Sequence, residues 1–237
     1  MGTSKGYLPP TGYLWPEAKR DITNMVKSDF TPSSIERSIS SFSKAMSGGD
    51  KQFLNSASRV GAKAVNFIEA VKNFGFNEAL EKIGLSHLIN KSPEELRIGI
   101  IEYFNDGRND FYGNIAQQSM SEFMRELFKS VKDEEEYNTI LGSIDTGEFI
   151  REFIIKFIQN CFFANFAEKI LAMFDKLNKY DIAEKSVKTY IRSTIESEFT
   201  IENIQKVDWN GIEGYKIIKE KCNKAFEILS VWSETLV

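Results

Sequence analysis

The sequence predicts an all-α protein, a compact multi-helix bundle with a flexible N-terminal leader. Three observations predict it. Apolar residues recur at helical spacing through almost the whole chain, and no useful segment alternates with period two. Helix-start signals recur, among them Trp15-Pro16-Glu17, Thr31-Pro32-Ser33 and Ser92-Pro93-Glu94-Glu95. Four of the five prolines fall within the first 32 residues, so rigid punctuation is concentrated at the start.

The first helix opens at Trp15-Pro16-Glu17, where proline at the first helical position sacrifices no hydrogen bond and glutamate suits the helix dipole. Ala18, Ile22, Met25 and Val26 form its apolar stripe. A second helix takes Thr31 as N-cap and Pro32 at its first position, buries Ile35, Ile39, Phe42 and Met46, and stops at Gly48-Gly49. The third, from about Asp50, carries Phe53, Leu54, Ala57, Val60, Ala64, Phe67, Ile68 and Val71, and its small residues Ser56, Ala57, Gly61 and Ala62 point to a close helix contact. After a short piece at Asn77–Ile83, a capping box at Ser92–Glu95 starts a helix lined by Leu96, Ile100, Ile101 and Phe104, ending at Asn105-Asp106-Gly107.

A helix then spans Phe111 to Val131 with Ile115, Met120, Phe123, Met124, Leu127 and Phe128 inside, and Asp133–Glu136 opens a shorter one. Asp145-Thr146-Gly147-Glu148 starts a long apolar helix through Phe174. The last two run from Ile182 to Phe199 and from Ile212 to Trp232. The domain reading is a flexible leader over residues 1–14 and one helical domain over 15–237, with a candidate subdivision near 90–107.

Composition removes several function classes. At 42% hydrophobic and 27% charged the chain has the balance of a folded globular protein. A formal charge of −4 gives no basic footprint for nucleic acid. The most apolar stretch, Phe153 to Phe174, carries Lys156, Gln159, Asn160, Asn165, Glu168 and Lys169, too many polar groups for a bilayer span of about 20 residues. Cys161 and Cys222 lie far apart in helical patterns and read as buried free thiols, which fits a reducing cytoplasm. A single histidine, His87, rules against a zinc cluster and against paired Glu-x-x-His di-iron sites, and it reads as a surface or helix-terminal residue. Phosphate loops of the Gly-x-x-x-x-Gly-Lys-Ser/Thr and Gly-x-Gly-x-x-Gly kinds are absent. The expectation is a protein with no catalytic residues, no metal and no cofactor of its own.

Nineteen phenylalanines need a large interior or an interface. Those between Phe149 and Phe174 read first as core, and second as a groove for a partner. The alternative function is therefore a helical protein–protein interaction adaptor with an incidental disordered N-terminus. An enzyme using carboxylates in a helical cavity is the third reading.

The leader MGTSKGY carries the sharper chemistry. Initiator methionine is normally trimmed before glycine, which would free the α-amine of Gly2. With a pKa of about 7.7–8.0, an α-amine is partly neutral and nucleophilic near pH 7. Glycine has no side chain to obstruct a narrow pocket, and Thr3, Ser4 and Gly6 add hydrogen bonding and freedom without bulk. Tyr7, Leu8, Pro9, Pro10, Tyr13, Leu14 and Trp15 continue as a partly polyproline-like strap. Gly6 breaks the N-myristoylation pattern at its sixth position. On residues alone, a graspable tail and a plain disordered terminus both remain open.

The run MGTSKGY, its Pro/Gly spacer and WPEAKRDITNMV, covering Met1 to Val26, resemble the start of QatB-like proteins of the bacterial Qat anti-phage defence systems. The resemblance implies a non-enzymatic, cytoplasmic defence subunit that is partner and N-terminal substrate of a QueC-like (QatC-type) enzyme. That enzyme would attach a 7-deazaguanine to Gly2, the modification acceptor, after Met1 removal. Thr3, Ser4, Lys5, Gly6 and Tyr7 would line the partner's entry channel. ATP, 7-carboxy-7-deazaguanine and any zinc would belong to the partner. The ATPase and TatD-like nuclease of the same system are further implied partners, with no role for a membrane.

Overall fold

A computed structural model describes residues 12–49, 51–105, 110–173, 177–199, 207–209 and 211–231. Among these residues there are ten α-helices and no strand: α1 (Trp15–Lys27), α2 (Pro32–Ser47), α3 (Gln52–Phe74), α4 (Phe76–Lys82), α5 (Pro93–Phe104), α6 (Phe111–Leu127), α7 (Glu134–Ser143), α8 (Thr146–Leu171), α9 (Leu177–Glu198) and α10 (Ile212–Ser230). A 3-10 turn at Ser86–Leu88 lies between α4 and α5. The all-α expectation is met.

The chain divides into two units. Unit 1 takes residues 1–51, 158–199 and 223–237, and unit 2 takes 52–157 and 200–222. Residues 90–107 lie within unit 2, and α8 and α10 each give residues to both units.

In unit 1, α1 packs on α2, and α2 on α9. Ala183, Val187, Ile191 and Ile195 recur every fourth residue on α9 and are fully buried. Phe42 of α2 is buried completely, and its ring meets Phe162 edge-on at 5.3 Å and Phe226 at 6.1 Å. Leaving α1, the chain reverses through Asp29 and Phe30, both left-handed at φ 55° and 59°. Phe30 donates its backbone N–H back to Met25 (3.1 Å), and burial of its ring holds a conformation that a bulky residue otherwise avoids.

In unit 2, α3 contacts α4, α5, α6 and α7. The N-terminal half of α10 also lies on α3, where Tyr215 donates to Asn55 Oδ1 at 2.7 Å. The close contact expected from the small residues of α3 is present at Gly61. A Cβ there would stand 3.0 Å from both Ile218 Cγ2 and Phe153 Cε1, so neither neighbour could sit where it does against a side chain. A second aromatic run joins Phe76 to Tyr137 (stacked, 5.4 Å) and Tyr137 to Phe128 (4.7 Å). The Tyr137 hydroxyl donates to the Pro93 carbonyl at 2.8 Å.

The helix starts follow local chemistry. Ser92 and Glu95 form the expected capping box. Asp133 accepts from the Glu136 N–H, and Asp145 from the Glu148 N–H. At Thr31 the position is right but the cap is not: its side chain makes no cap bond, and the Ser34 hydroxyl donates to the Thr31 carbonyl instead. Helix α6 ends at Leu127, four residues before the expected Val131, because Phe128 turns in to meet Tyr137. Helix α9 starts at Leu177, five residues before Ile182, which is exposed, and the expected ends at Phe174 and Trp232 lie outside the described residues.

Two expected outcomes follow. Gly61→Val should lower the melting temperature through overpacking worth about 2 kcal/mol or more, whereas Gly142→Ala, with open space around it near the end of α7, should raise stability by up to about 1 kcal/mol; thermal unfolding by circular dichroism separates them. Burial pushes the Tyr137 phenol up to about 12. A raised phenol ionises more readily in the unfolded chain, so its contribution is complete below pH 10 and is lost as pH rises from about 10 toward 12. Tyr137→Phe should flatten that part of the alkaline decline in denaturation midpoints.

Candidate functional site

Gly2, Thr3, Ser4, Lys5, Gly6 and Tyr7 lie outside the described residues. What is described is the root from which the leader departs. Gly12 to Leu14 form a turn closed by the Trp15 N–H on the Gly12 carbonyl (3.1 Å), and Tyr13 stands 84% exposed. Leu14 reaches Gly48 so closely that a Cβ at Gly48 would meet Leu14 Cδ1 at 2.8 Å. Trp15 is buried, with its ring 6.0 Å from Phe166 and 6.4 Å from Phe42. A large amphipathic ring at the first helical residue is an anchor: Trp15 is packed into the aromatic cluster of unit 1, and Tyr13 faces water.

Behind this anchor lies a buried polar centre that the apolar pattern does not announce. The Asp21 side chain is 1% exposed. Its Oδ2 accepts from the Ser41 hydroxyl at 2.5 Å, and its Oδ1 faces Arg37 Nε at 3.3 Å and Arg20 Nε at 3.8 Å. The Ser38 hydroxyl donates to the Asp21 backbone carbonyl at 2.9 Å. A buried carboxylate needs such partners, because an unpaired one would neutralise or unfold its surroundings. Nearby Lys169 donates to the Lys19 carbonyl at 2.5 Å, and burial followed by the charge of Lys19 lowers its ammonium below the usual lysine range. These polar bonds set the orientation of α1 against α2 and α8 within unit 1. A carboxylate at position 21 was detectable in principle, since it shares the face of Ala18, Ile22 and Met25.

The residues with catalytic potential are dispersed. His87 is exposed on the 3-10 turn. Cys161 and Cys222 are buried free thiols, and burial pushes the Cys222 thiol upward, away from the reactive thiolate. Among the described residues no three His, Cys, Asp or Glu side chains are grouped to hold a metal ion. No helix of the described residues is long and apolar enough to cross a membrane. The phenylalanines of α8 are core: Phe149, Phe153, Phe157, Phe162 and Phe166 are buried, and Phe163 is half-buried against Phe162 and Tyr180. That removes the phenylalanine-rich groove.

Trp15→Ala should cost about 3–5 kcal/mol of stability by leaving a cavity against Phe42 and Phe166, while Tyr13→Ala should change it by less than about 0.5 kcal/mol. Urea denaturation of the two variants measures the difference.

A family model described as Qat anti-phage system associated protein QatB matches residues 48–229, more than half of the chain. No curated protein and no solved structure matches.

Proposed function

Because this chain belongs to the QatB family, we propose that it is a non-enzymatic subunit of an anti-phage system and the N-terminal substrate of a QueC-like enzyme in that system. Membership itself gives the chain a role in Qat anti-phage defence and partners within the same system. The finer reading concerns what one of those partners does to Gly2.

After Met1 is removed, the Gly2 amine is the nucleophile. In the partner, ATP converts the carboxylate of 7-carboxy-7-deazaguanine into an acyl adenylate, releasing pyrophosphate. The neutral amine attacks the acyl carbon, the C–N bond forms, and the C–O bond to AMP breaks with its electron pair leaving on AMP. The amine proton passes to a base of the partner. The product is an amide between the ring carboxyl and Gly2. Thr3, Ser4, Lys5, Gly6 and Tyr7 run along the partner's channel. ATP and any zinc are the partner's, and the reaction is cytoplasmic. The ATPase and TatD-like nuclease are the remaining partners of the proposed assembly.

The observation that carries this reading is that two separate parts of the chain point the same way. The family match lies on residues 48–229, while the leader resemblance lies on Met1 to Val26. The packed root at Trp15 adds to it. A tail rooted on a folded body that itself docks the partner meets the partner's site at a high effective concentration.

Intact mass spectrometry after co-expression with the QueC-like enzyme tests the proposal. The expected product has lost methionine and gained one deazaguanine acyl group, and Gly2→Ala or one added N-terminal residue abolishes the gain. An unchanged mass beside a demonstrably active enzyme rejects it.

A further inference from the structure

Tyr13 is the most exposed large apolar side chain among the described residues, at 84%, and it makes no hydrogen bond, ion pair or ring contact with any of them. Its backbone, by contrast, is fixed on both sides. The Trp15 N–H closes the turn on the Gly12 carbonyl at 3.1 Å, and the Ala18 N–H bonds to the Leu14 carbonyl at 3.2 Å. Leu14 occupies the space that a side chain at Gly48 would fill, and Trp15 is buried against Phe42 and Phe166. Unit 1 therefore holds a tyrosine out in water on a rigid backbone.

Interfaces use such residues as anchors. Tyrosine is enriched among binding hot spots, because a ring with two side-chain torsions brings a large amphipathic contact at low entropic cost. A backbone ordered in advance lowers that cost further. The other strongly exposed apolar residues differ: Ile182, Ile212 and Val231 are aliphatic, and Phe74 already lies beneath the Lys82 ammonium at 4.1 Å.

Chain length says which partner covers it. With Gly2 as the acceptor and Thr3 to Tyr7 along the enzyme's channel, the channel mouth lies at Tyr7. Five residues then carry the chain from the mouth to Gly12, a span of at most about 18 Å. A standard interface covers about 800 Å² of each partner, a patch about 30 Å across. The enzyme's surface around its mouth therefore reaches Tyr13.

We propose that Tyr13 is the aromatic anchor by which the QueC-like enzyme docks on unit 1, its ring entering an apolar pocket beside the channel mouth and its hydroxyl at the rim. This rests on the reading of Gly2 as that enzyme's substrate. Docking at Tyr13 fixes the chain at Gly12 and so sets the register of the leader in the channel. Tyr13 is a positioning residue and takes no part in the acyl transfer.

Isothermal titration of the full-length protein with the QueC-like enzyme tests it. Tyr13→Ala should weaken the complex at least tenfold at an unchanged melting temperature, and should raise KM for Gly2 acylation by a similar factor with kcat unchanged. Tyr13→Phe, which keeps the ring, should retain most of the affinity. Ile212→Ala, which removes an exposed apolar side chain of unit 2, should bind as the wild type does. Wild-type affinity and KM in Tyr13→Ala overturn the inference even where Gly2 is acylated, and so does the absence of any complex between the wild-type protein and the enzyme. A complex that depends on Tyr13 while the mass of the chain stays unchanged upholds the docking contact and rejects only the acylation.

Discussion

Phe42 is the contact on which unit 1 turns. It is fully buried, and its ring touches Trp15, Phe162, Phe166 and Phe226, which belong to three other helices widely separated in the chain. Burying one phenylalanine contributes about 1.5–3 kcal/mol, but the larger consequence is geometric. Edge-to-face rings accept few orientations, so one residue fixes where α1, α8 and α10 meet α2 in this unit. The root of the leader inherits its position from this cluster through Trp15.

Unit 2 solves the same problem with a gap in place of a ring. Gly61 leaves room for Ile218 and Phe153 to press against the α3 backbone, and Tyr137 ties α7 to the start of α5 through one hydrogen bond and to Phe76 of α4 and Phe128 after α6 through two ring contacts. Helices held by close packing transmit substitutions at these points directly into stability, because interiors are packed about as densely as organic crystals. Surface ion pairs such as Lys82–Glu78 contribute little by comparison.

Function in this protein divides along similar lines. The chemistry proposed for Gly2 needs freedom, a small residue and an amine of low basicity, none of which a packed core supplies. The body offers the opposite, a rigid root at Trp15 packed against Phe42 and Phe166.

Much of this was legible in the residues themselves. Helical class, the start of α1 at Trp15, the capping box at Ser92, the caps at Asp133 and Asp145, and the buried faces of α2 and α3 follow from periodicity and from side chains acting within four residues of their own position. The small-residue face of α3 announced a close contact, though not that Ile218 and Phe153 would make it. Other features depended on partners distant in sequence. Asp21 is buried because Ser41 and Arg37 reach it, and α6 stops early because Tyr137 receives Phe128. Local sequence decides which residues can form a helix and which face is apolar; only the packed structure decides which faces meet, because that choice is made by shape and unpaired polar groups across long separations in the chain.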